Sequence, residues 1–295
     1  MPMRAALRFT AALTACVAAV AAAQVALADP AAHATAASAG PAGVVAKAGE
    51  LFDLTTGKQL WSRRGRAELP IASITKVMTA LVVLASGHLS RKIRVTQAAV
   101  NYALDNDAGS AGLHAGDVLT TRQLLHGLLL PSGADAAYLL ARSYGPGWRK
   151  FVRKMNRTAG QLGLTHTHFA NFDGLPWPTE TSTYSTARDV VMLGEAAMKN
   201  AVFRKIADER SYRISATRKH HKYDWTNTDL LLGRYRGALG IKTGFTLAAG
   251  YCLLFEARRQ GTTLIGVVLD STNTDTTMRF TAAARLLNWG FAKTR

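Results

Sequence analysis

The 295-residue chain is 48% hydrophobic and carries 36 Lys and Arg against 19 Asp and Glu, a formal net charge of +17. That length and apolar share are enough for one large body or two small lobes, so neither disulfides nor a structural metal are needed to complete a core. The positive charge favours acidic partners, but the basic residues are scattered, as in Arg63-Arg64, Arg149-Lys150, Arg218-Lys219 and Arg258-Arg259. Without an aromatic-interleaved stripe, and in an exported chain, this pattern argues against nucleic acid.

Residues 1–8 contain Arg4 and Arg8 and no acid, residues 9–27 are almost wholly apolar, and Ala26-Leu27-Ala28 fits an A-x-A cleavage site. The layout is that of a secretory signal peptide over residues 1–28. It places the mature protein outside the cytoplasm, in the periplasmic or cell-wall space. A lipoprotein parse ending at Cys16 fits less well, because the apolar run continues past that residue. Once Cys16 is removed, Cys252 is the only cysteine and no intramolecular disulfide can form. Loss of Arg4 and Arg8 takes the formal charge from +17 to +15. That charge suits electrostatic association with anionic wall polymers or membrane headgroups, and equally a solvated, self-repelling surface.

Residues 29–43 are Ala, Pro, Ser and Gly without periodicity and read as a flexible linker that frays. The domain proper is expected over residues 44–295. Residues 44–62 alternate around Thr55-Thr56-Gly57-Lys58 and predict two antiparallel strands joined by a tight turn. Residues 71–85 are nearly continuous apolar residues between Pro70 and Gly87 and predict one buried helix, too short to cross a bilayer. Further helices are expected over residues 121–130, 134–143, 148–162 and 187–200. Strands return at 239–244, 250–257 and 262–269, the last two forming a hairpin through residues 258–261. A closing helix is expected over 276–291, with Phe280, Ala284, Leu287 and Phe291 at helical spacing. Strands at both ends with helices between imply one sheet built from the two termini plus a helical lobe.

Three short motifs can carry chemistry. Ser73-Ile74-Thr75-Lys76 puts a hydroxyl and an amine three residues apart at a helix start, on one face. Lysine can activate serine if burial lowers its pKa, although an isolated serine there reads equally as a helix cap with the lysine in water. Ser132-Gly133 follows Pro131 in a turn between two helices. Its hydroxyl could relay a proton, or could form a capping box with Asp135. Lys242-Thr243-Gly244 lies on a strand: the ammonium and hydroxyl can bind a carboxylate, and Gly244 lets a substrate backbone lie along the edge. Alone, it is an ordinary edge-strand lysine.

In this order, and inside longer stretches, the motifs resemble the low-molecular-mass penicillin-binding proteins, the serine-type D-alanyl-D-alanine carboxypeptidases of peptidase family S11. The resemblance is carried by Pro70-Ile71-Ala72-Ser73-Ile74-Thr75-Lys76, by Leu130-Pro131-Ser132-Gly133-Ala134-Asp135 and by Gly240-Ile241-Lys242-Thr243-Gly244-Phe245-Thr246, and Asn171, Gly174-Leu175 and Ser185-Thr186-Ala187 match as well. It implies an α/β (α+β) fold of the β-lactamase/transpeptidase type, an antiparallel sheet from both chain ends plus a helical lobe. It implies Ser73 as acylated nucleophile, Lys76 as its base and Ser132 as proton relay. Lys242 and Thr243 would hold the substrate's terminal carboxylate, and the Ser73 and Phe245 N–H groups would form the oxyanion hole. The substrates implied are peptidoglycan peptides ending in D-Ala-D-Ala, with β-lactams as covalent inhibitors and no cofactor or metal.

The second motif departs from the usual Ser-Gly-Asn, since Ala134 stands where an amide would contact substrate and support the lysine. Acylation is expected to persist and turnover to weaken. A DD-endopeptidase of the same family, a β-lactamase and a wall-binding relative that has lost turnover are the alternatives. G-x-S-x-G and H-E-x-x-H are absent, and His166 with His168 are expected to be loop or strand residues with satisfied hydrogen bonds. Longer members of the family add a second domain and a C-terminal anchor; this chain is expected to be a single-domain enzyme.

Overall fold

A computed structural model describes residues 40–294 of the chain. The expected signal peptide and all but the end of the linker lie outside the described residues. At the linker's end the Gly43 carbonyl accepts a hydrogen bond from Arg285, and at the start of the domain the Val44 carbonyl accepts one from Arg63 at 2.6 Å.

A five-stranded antiparallel sheet forms the frame. From the N-terminal side come β1 (Ala48–Asp53) and β2 (Lys58–Arg63), joined through the Asp53 carboxylate, which accepts from the Thr55 N–H and the Thr56 hydroxyl at 2.8 Å each. A short β3 (Leu69–Pro70) leads to a 3-10 turn, Ala72–Ile74, and then to α1 (Thr75–Ala85). The helical lobe continues through β4 (Lys92–Arg94), α2 (Gln97–Asp105), β5 (Val118–Thr120), α3 (Thr121–Leu129), α4 (Ala134–Tyr144) and α5 (Trp148–Gln161). After β6 (Tyr184–Ser185), which pairs with β3, come α6 (Ala187–Lys199), α7 (Ala201–Asp208) and the hairpin β7 (Ser211–Ile214) with β8 (Tyr223–Thr226). The chain then re-enters the sheet as β9 (Ala238–Thr246), β10 (Gly250–Arg259) and β11 (Thr262–Leu269), and ends in α8 (Met278–Lys293).

The strand order is β2-β1-β11-β10-β9, so the last strand of the chain's sheet pairs with the first and β9 is left on the edge. Both faces are covered, which is why Leu253 to Phe255 and Leu264 to Leu269 are continuous runs without polar residues, not alternating ones. On one face α8 seats Phe280, Ala283, Leu286, Leu287 and Phe291 against Leu51, Leu253, Phe255 and Leu264. On the other, α6 and the lobe bury Leu254, Ile265 and Val267 in the larger core. Buried alanines make α8 lie close: Ala282 and Ala283 face the sheet, while Ala284 is only half-buried. Within the lobe, α1 is enclosed by α3, α4, α5 and α6 and is buried over nearly its whole length. Cys252 is buried on β10 opposite Gly244, and burial pushes its thiol up to about 12. No helix among the described residues is long and apolar enough to cross a membrane.

Candidate active site

The stretch read as one helix from residue 71 is broken at its start. Ala72–Ile74 is a 3-10 turn, and Ala72 has φ of +46°, a left-handed conformation that alanine keeps only when its surroundings enforce it. Two glycines supply the enforcement. A side chain at Gly174 would collide with the Ala72 carbonyl, and a Cβ at Gly244 would lie 2.9 Å from the Ile71 carbonyl and 3.3 Å from the Ser73 nitrogen. The turn bearing Ser73 is therefore clamped between the loop 171–177 and the edge strand.

Ser73 is not a helix cap, because neither the 3-10 turn nor α1 has a side-chain cap. Its Oγ instead accepts from Lys76 Nζ at 2.8 Å. Lys76 is 1% exposed, and its second hydrogen bond goes to the Asp173 carbonyl at 3.3 Å. Burial pushes its ammonium below the ordinary lysine range, opposed by the Asp173 and Asp135 carboxylates. An amine that can be neutral thus touches the serine oxygen.

Ser132 also sits in the left-handed region, with φ of +64°. The capping-box alternative fails here. Gly133 is the N-cap of α4 without a side-chain bond, and the Asp135 carboxylate turns away to accept from the Ala111 N–H at 2.9 Å, the Leu113 N–H at 3.2 Å and the Ser110 hydroxyl at 2.8 Å. That grip ties the segment 110–113 to α4. Ala134 is fully buried, its N–H donating to the Gly109 carbonyl at 2.7 Å, and it does not line the cleft. The partner that an asparagine would offer Lys76 is supplied by the Asp173 carbonyl.

On β9, Lys242 is as buried as Lys76, so the solvent-facing edge lysine is also excluded. Nζ donates to the Thr243 carbonyl at 3.0 Å, and the Thr243 hydroxyl lies 2.7 Å from that of Thr228. Burial, then the Lys76 and Arg279 charges, pushes the Lys242 ammonium well below its usual range; Asp229 opposes them. Asp229 is itself pushed up to about 6 by burial.

Arg279 was not marked by any motif. It stands at the start of α8, donates to the Gly244 carbonyl at 3.2 Å, stacks over Tyr251, and has a buried Nε without a hydrogen-bond partner. Asp173, Asp229 and Tyr102 were likewise invisible in sequence, because the fold brings them in from distant segments. His166 and His168 stay outside the site, with His166 bonded to Glu68 and His168 bridging Tyr184.

Ser73, Lys76, Ser132, Thr243, Gly244 and Arg279 line one cleft of about 460 Å³, with exposed Phe245 and Leu247 on its wall. Lys242 does not line the cleft, and reaches it only through Thr243, to which its Nζ donates. A cavity of similar volume lined by Arg236, Arg258, Arg259 and Phe291 contains no serine, cysteine, lysine or acid. The cleft combines a serine in contact with a buried amine, a second hydroxyl, and cations at a strand edge. Such a set can transfer an acyl group from a carboxylate-terminated peptide.

A profile of D-alanyl-D-alanine carboxypeptidases matches residues 33–273. The chain is 40% identical to the D-alanyl-D-alanine carboxypeptidase of Streptomyces sp. (strain K15), covering 84% of this chain and 88% of that protein. It is 30% identical to an Escherichia coli (strain K12) D-alanyl-D-alanine endopeptidase, over 81% of this chain and 75% of that protein. The crystal structure of the Streptomyces K15 DD-transpeptidase superposes with a TM-score of 0.80 at 40% identity, over 84% of this chain and 98% of that one. A Mycobacterium tuberculosis D-alanyl-D-alanine carboxypeptidase does so with 0.76 at 36% identity, over 86% and 96%.

Proposed function

The chain belongs to the D-alanyl-D-alanine carboxypeptidase family, and on that premise we propose that Ser73 attacks the penultimate D-alanine carbonyl of a peptidoglycan stem peptide. The observation that carries this reading is the 2.8 Å hydrogen bond between a buried Lys76 amine and Ser73 Oγ. As the Oγ–carbonyl bond forms, the hydroxyl proton passes to Nζ. Ser132 relays a proton to the departing nitrogen, the C–N bond breaks, and D-alanine leaves. Water then attacks the acyl-enzyme and regenerates Ser73.

Lys242, Thr243 and Arg279 hold the terminal carboxylate, which relieves the mutual repulsion of the two buried cations. The N–H groups of Ser73 and Phe245 receive the oxyanion. The close approach of Gly244 to the Ser73 nitrogen supports this pairing, since it lays the strand end beside the nucleophile turn. The hydrophobic wall of Phe245 and Leu247 fits the body of the peptide or a β-lactam.

Because its proposed substrates are wall peptides, we further propose that the enzyme works outside the cytoplasm, exported through a leader at residues 1–28, with its catalytic domain over residues 44–295. The formal charge of the mature chain also suits loose association with anionic wall polymers. A β-lactamase needs a carboxylate presented to water beside the acyl-enzyme. Among the residues lining the cleft the one acid is the exposed rim residue Asp107, and the buried Asp173 is turned away toward Tyr102. Hydrolysis of the D-Ala-D-Ala peptide bond is therefore preferred to rapid β-lactam turnover.

Intact-mass analysis after brief exposure to benzylpenicillin tests the assignment. The native protein gains one adduct and Ser73→Ala gains none. An unlabelled native protein, or an equally labelled mutant, overturns it. Parallel measurement of D-alanine release separates the enzyme from a binder without turnover.

A further inference from the structure

We propose that Asp173 is a positioning residue for acylation, its carboxylate providing the fixed counter-charge to the ammonium that Lys76 becomes on taking the Ser73 proton. The proposal rests on the assignment of Ser73 and Lys76 above.

Asp173 lies 97 residues beyond Lys76 in sequence, yet is wholly buried beside it. Its backbone carbonyl accepts from Lys76 Nζ. Its side chain is held separately, with the Tyr102 hydroxyl donating to Oδ2 at 2.9 Å and the Leu175 N–H to Oδ1 at 3.2 Å. The tyrosine is fixed in turn by the indole N–H of Trp177, which donates to its oxygen at 2.9 Å. Asn171 locks the loop that carries all of this, its amide donating to the Leu175 and Trp177 carbonyls at 2.8 and 2.7 Å. One loop therefore sets both the direction of the lysine, through a carbonyl, and the field at its nitrogen, through a carboxylate.

A buried carboxylate is costly unless a cation compensates it. For Asp173 that cation is Lys76, which is held by the carbonyl of the same residue and acts on the carboxylate through space, not in a direct ion pair. Burial raises the acid and lowers the amine, and in each case the leading opposing influence is the other partner. The remaining charged groups facing Lys76 are Asp135 from α4 and Lys242 from β9. Asp135 adds a weaker pull than Asp173 and Lys242 repels, so Asp173 is the leading counter-charge. The carboxylate does not line the cleft, so it reaches neither the substrate nor the hydrolytic water.

The proton accounting is simple. The Ser73 O–H bond breaks, an Nζ–H bond forms, and the negative charge develops on the oxyanion. Asp173 neither gains nor loses a proton; it stabilises the ammonium until Ser132 passes a proton to the leaving nitrogen.

The test is the pH profile of the second-order rate of acylation by benzylpenicillin in Asp173→Asn and Asp173→Ser, with folding checked by circular dichroism. Removing the charge leaves Lys76 with only the weaker pull of Asp135. The expected result is a fall of about 10- to 100-fold on the plateau and a shift of the acid limb to lower pH by about one unit. A lowered rate with an unmoved acid limb would mean a structural role only and overturns the proposal. So does failure of both variants to fold, which would make the carboxylate a requirement of the fold. Native protein that is not acylated at Ser73 would instead sink the underlying assignment, and is measured first.

Discussion

Lys76, which lines the cleft, and Lys242, which lies behind Thr243, are buried to the same extent, yet their surroundings differ. The helix-start region supplies Lys76 with an acceptor hydroxyl, a carbonyl and two nearby carboxylates, so its proton can come and go without a ligand. The strand-edge region surrounds Lys242 with two other cations and one carboxylate already pushed up to about 6. The first wall is complete in the free protein, whereas the second is completed by the anion it binds. Burial alone does not decide what a lysine does; the sign of the neighbouring charges does.

Three substitutions can break or sharpen this contrast. Lys76→Met removes the base and is expected to slow acylation about 10³-fold for penicillin and peptide alike, read by stopped-flow or mass labelling. Lys242→Ala should cost about 10²-fold in kcat/KM for peptides ending in a free carboxylate, and far less for the C-terminal amide, which lacks the anion. Equal losses on acid and amide would erase the distinction between the two walls. Arg279→Leu removes the peripheral cation and should lower kcat/KM about 10-fold, mostly through KM.

The smallest effect lies away from the cleft. Glu256, on β10, has a buried oxygen without a hydrogen-bond partner and is pushed up to about 7, foremost by burial. Because the folded carboxyl holds its proton more tightly than the unfolded one, its contribution to stability is full below about pH 4.5 and is lost as pH rises through about 7. Glu256→Gln should thus leave stability at pH 5 nearly unchanged and raise it by about 1–2 kcal/mol at pH 8, measured by denaturant unfolding. A gain of equal size at both pH values would assign the effect to packing.

The central frame was legible because its strands and α8 are long and apolar, and the three motifs were legible because each packs its chemistry into three or four consecutive residues. The helix α2 escaped notice: apart from Thr96, which caps it, its buried residues are only Ala99 and Ala103. The hairpin of β7 and β8 does alternate, with Ser211, Arg213, Asp224 and Thr226 exposed, but each strand is only four residues long, too short for its pattern to stand out in the sequence. Asp173 and Arg279 were beyond reach for a different reason. Each acts on a group roughly 35 to 100 residues away, and no local pattern encodes a contact made by topology. Ala134 illustrates the converse. Sequence marked it as a lost contact; it is fully buried off the cleft, and Lys76 bonds the Ser73 hydroxyl and the Asp173 carbonyl.

Cys252 gives the protein an internal clock. Its thiol lies on β10 directly opposite Gly244, and at about 12 its ionisation leaves almost no thiolate at neutral pH. In a chain carrying Cys16→Ser, alkylating reagents can reach this sulfur only when the ladder between β9 and β10 parts. The rate of alkylation therefore times the opening of the strand that forms one wall of the cleft, and a covalently bound β-lactam spanning both walls should slow it.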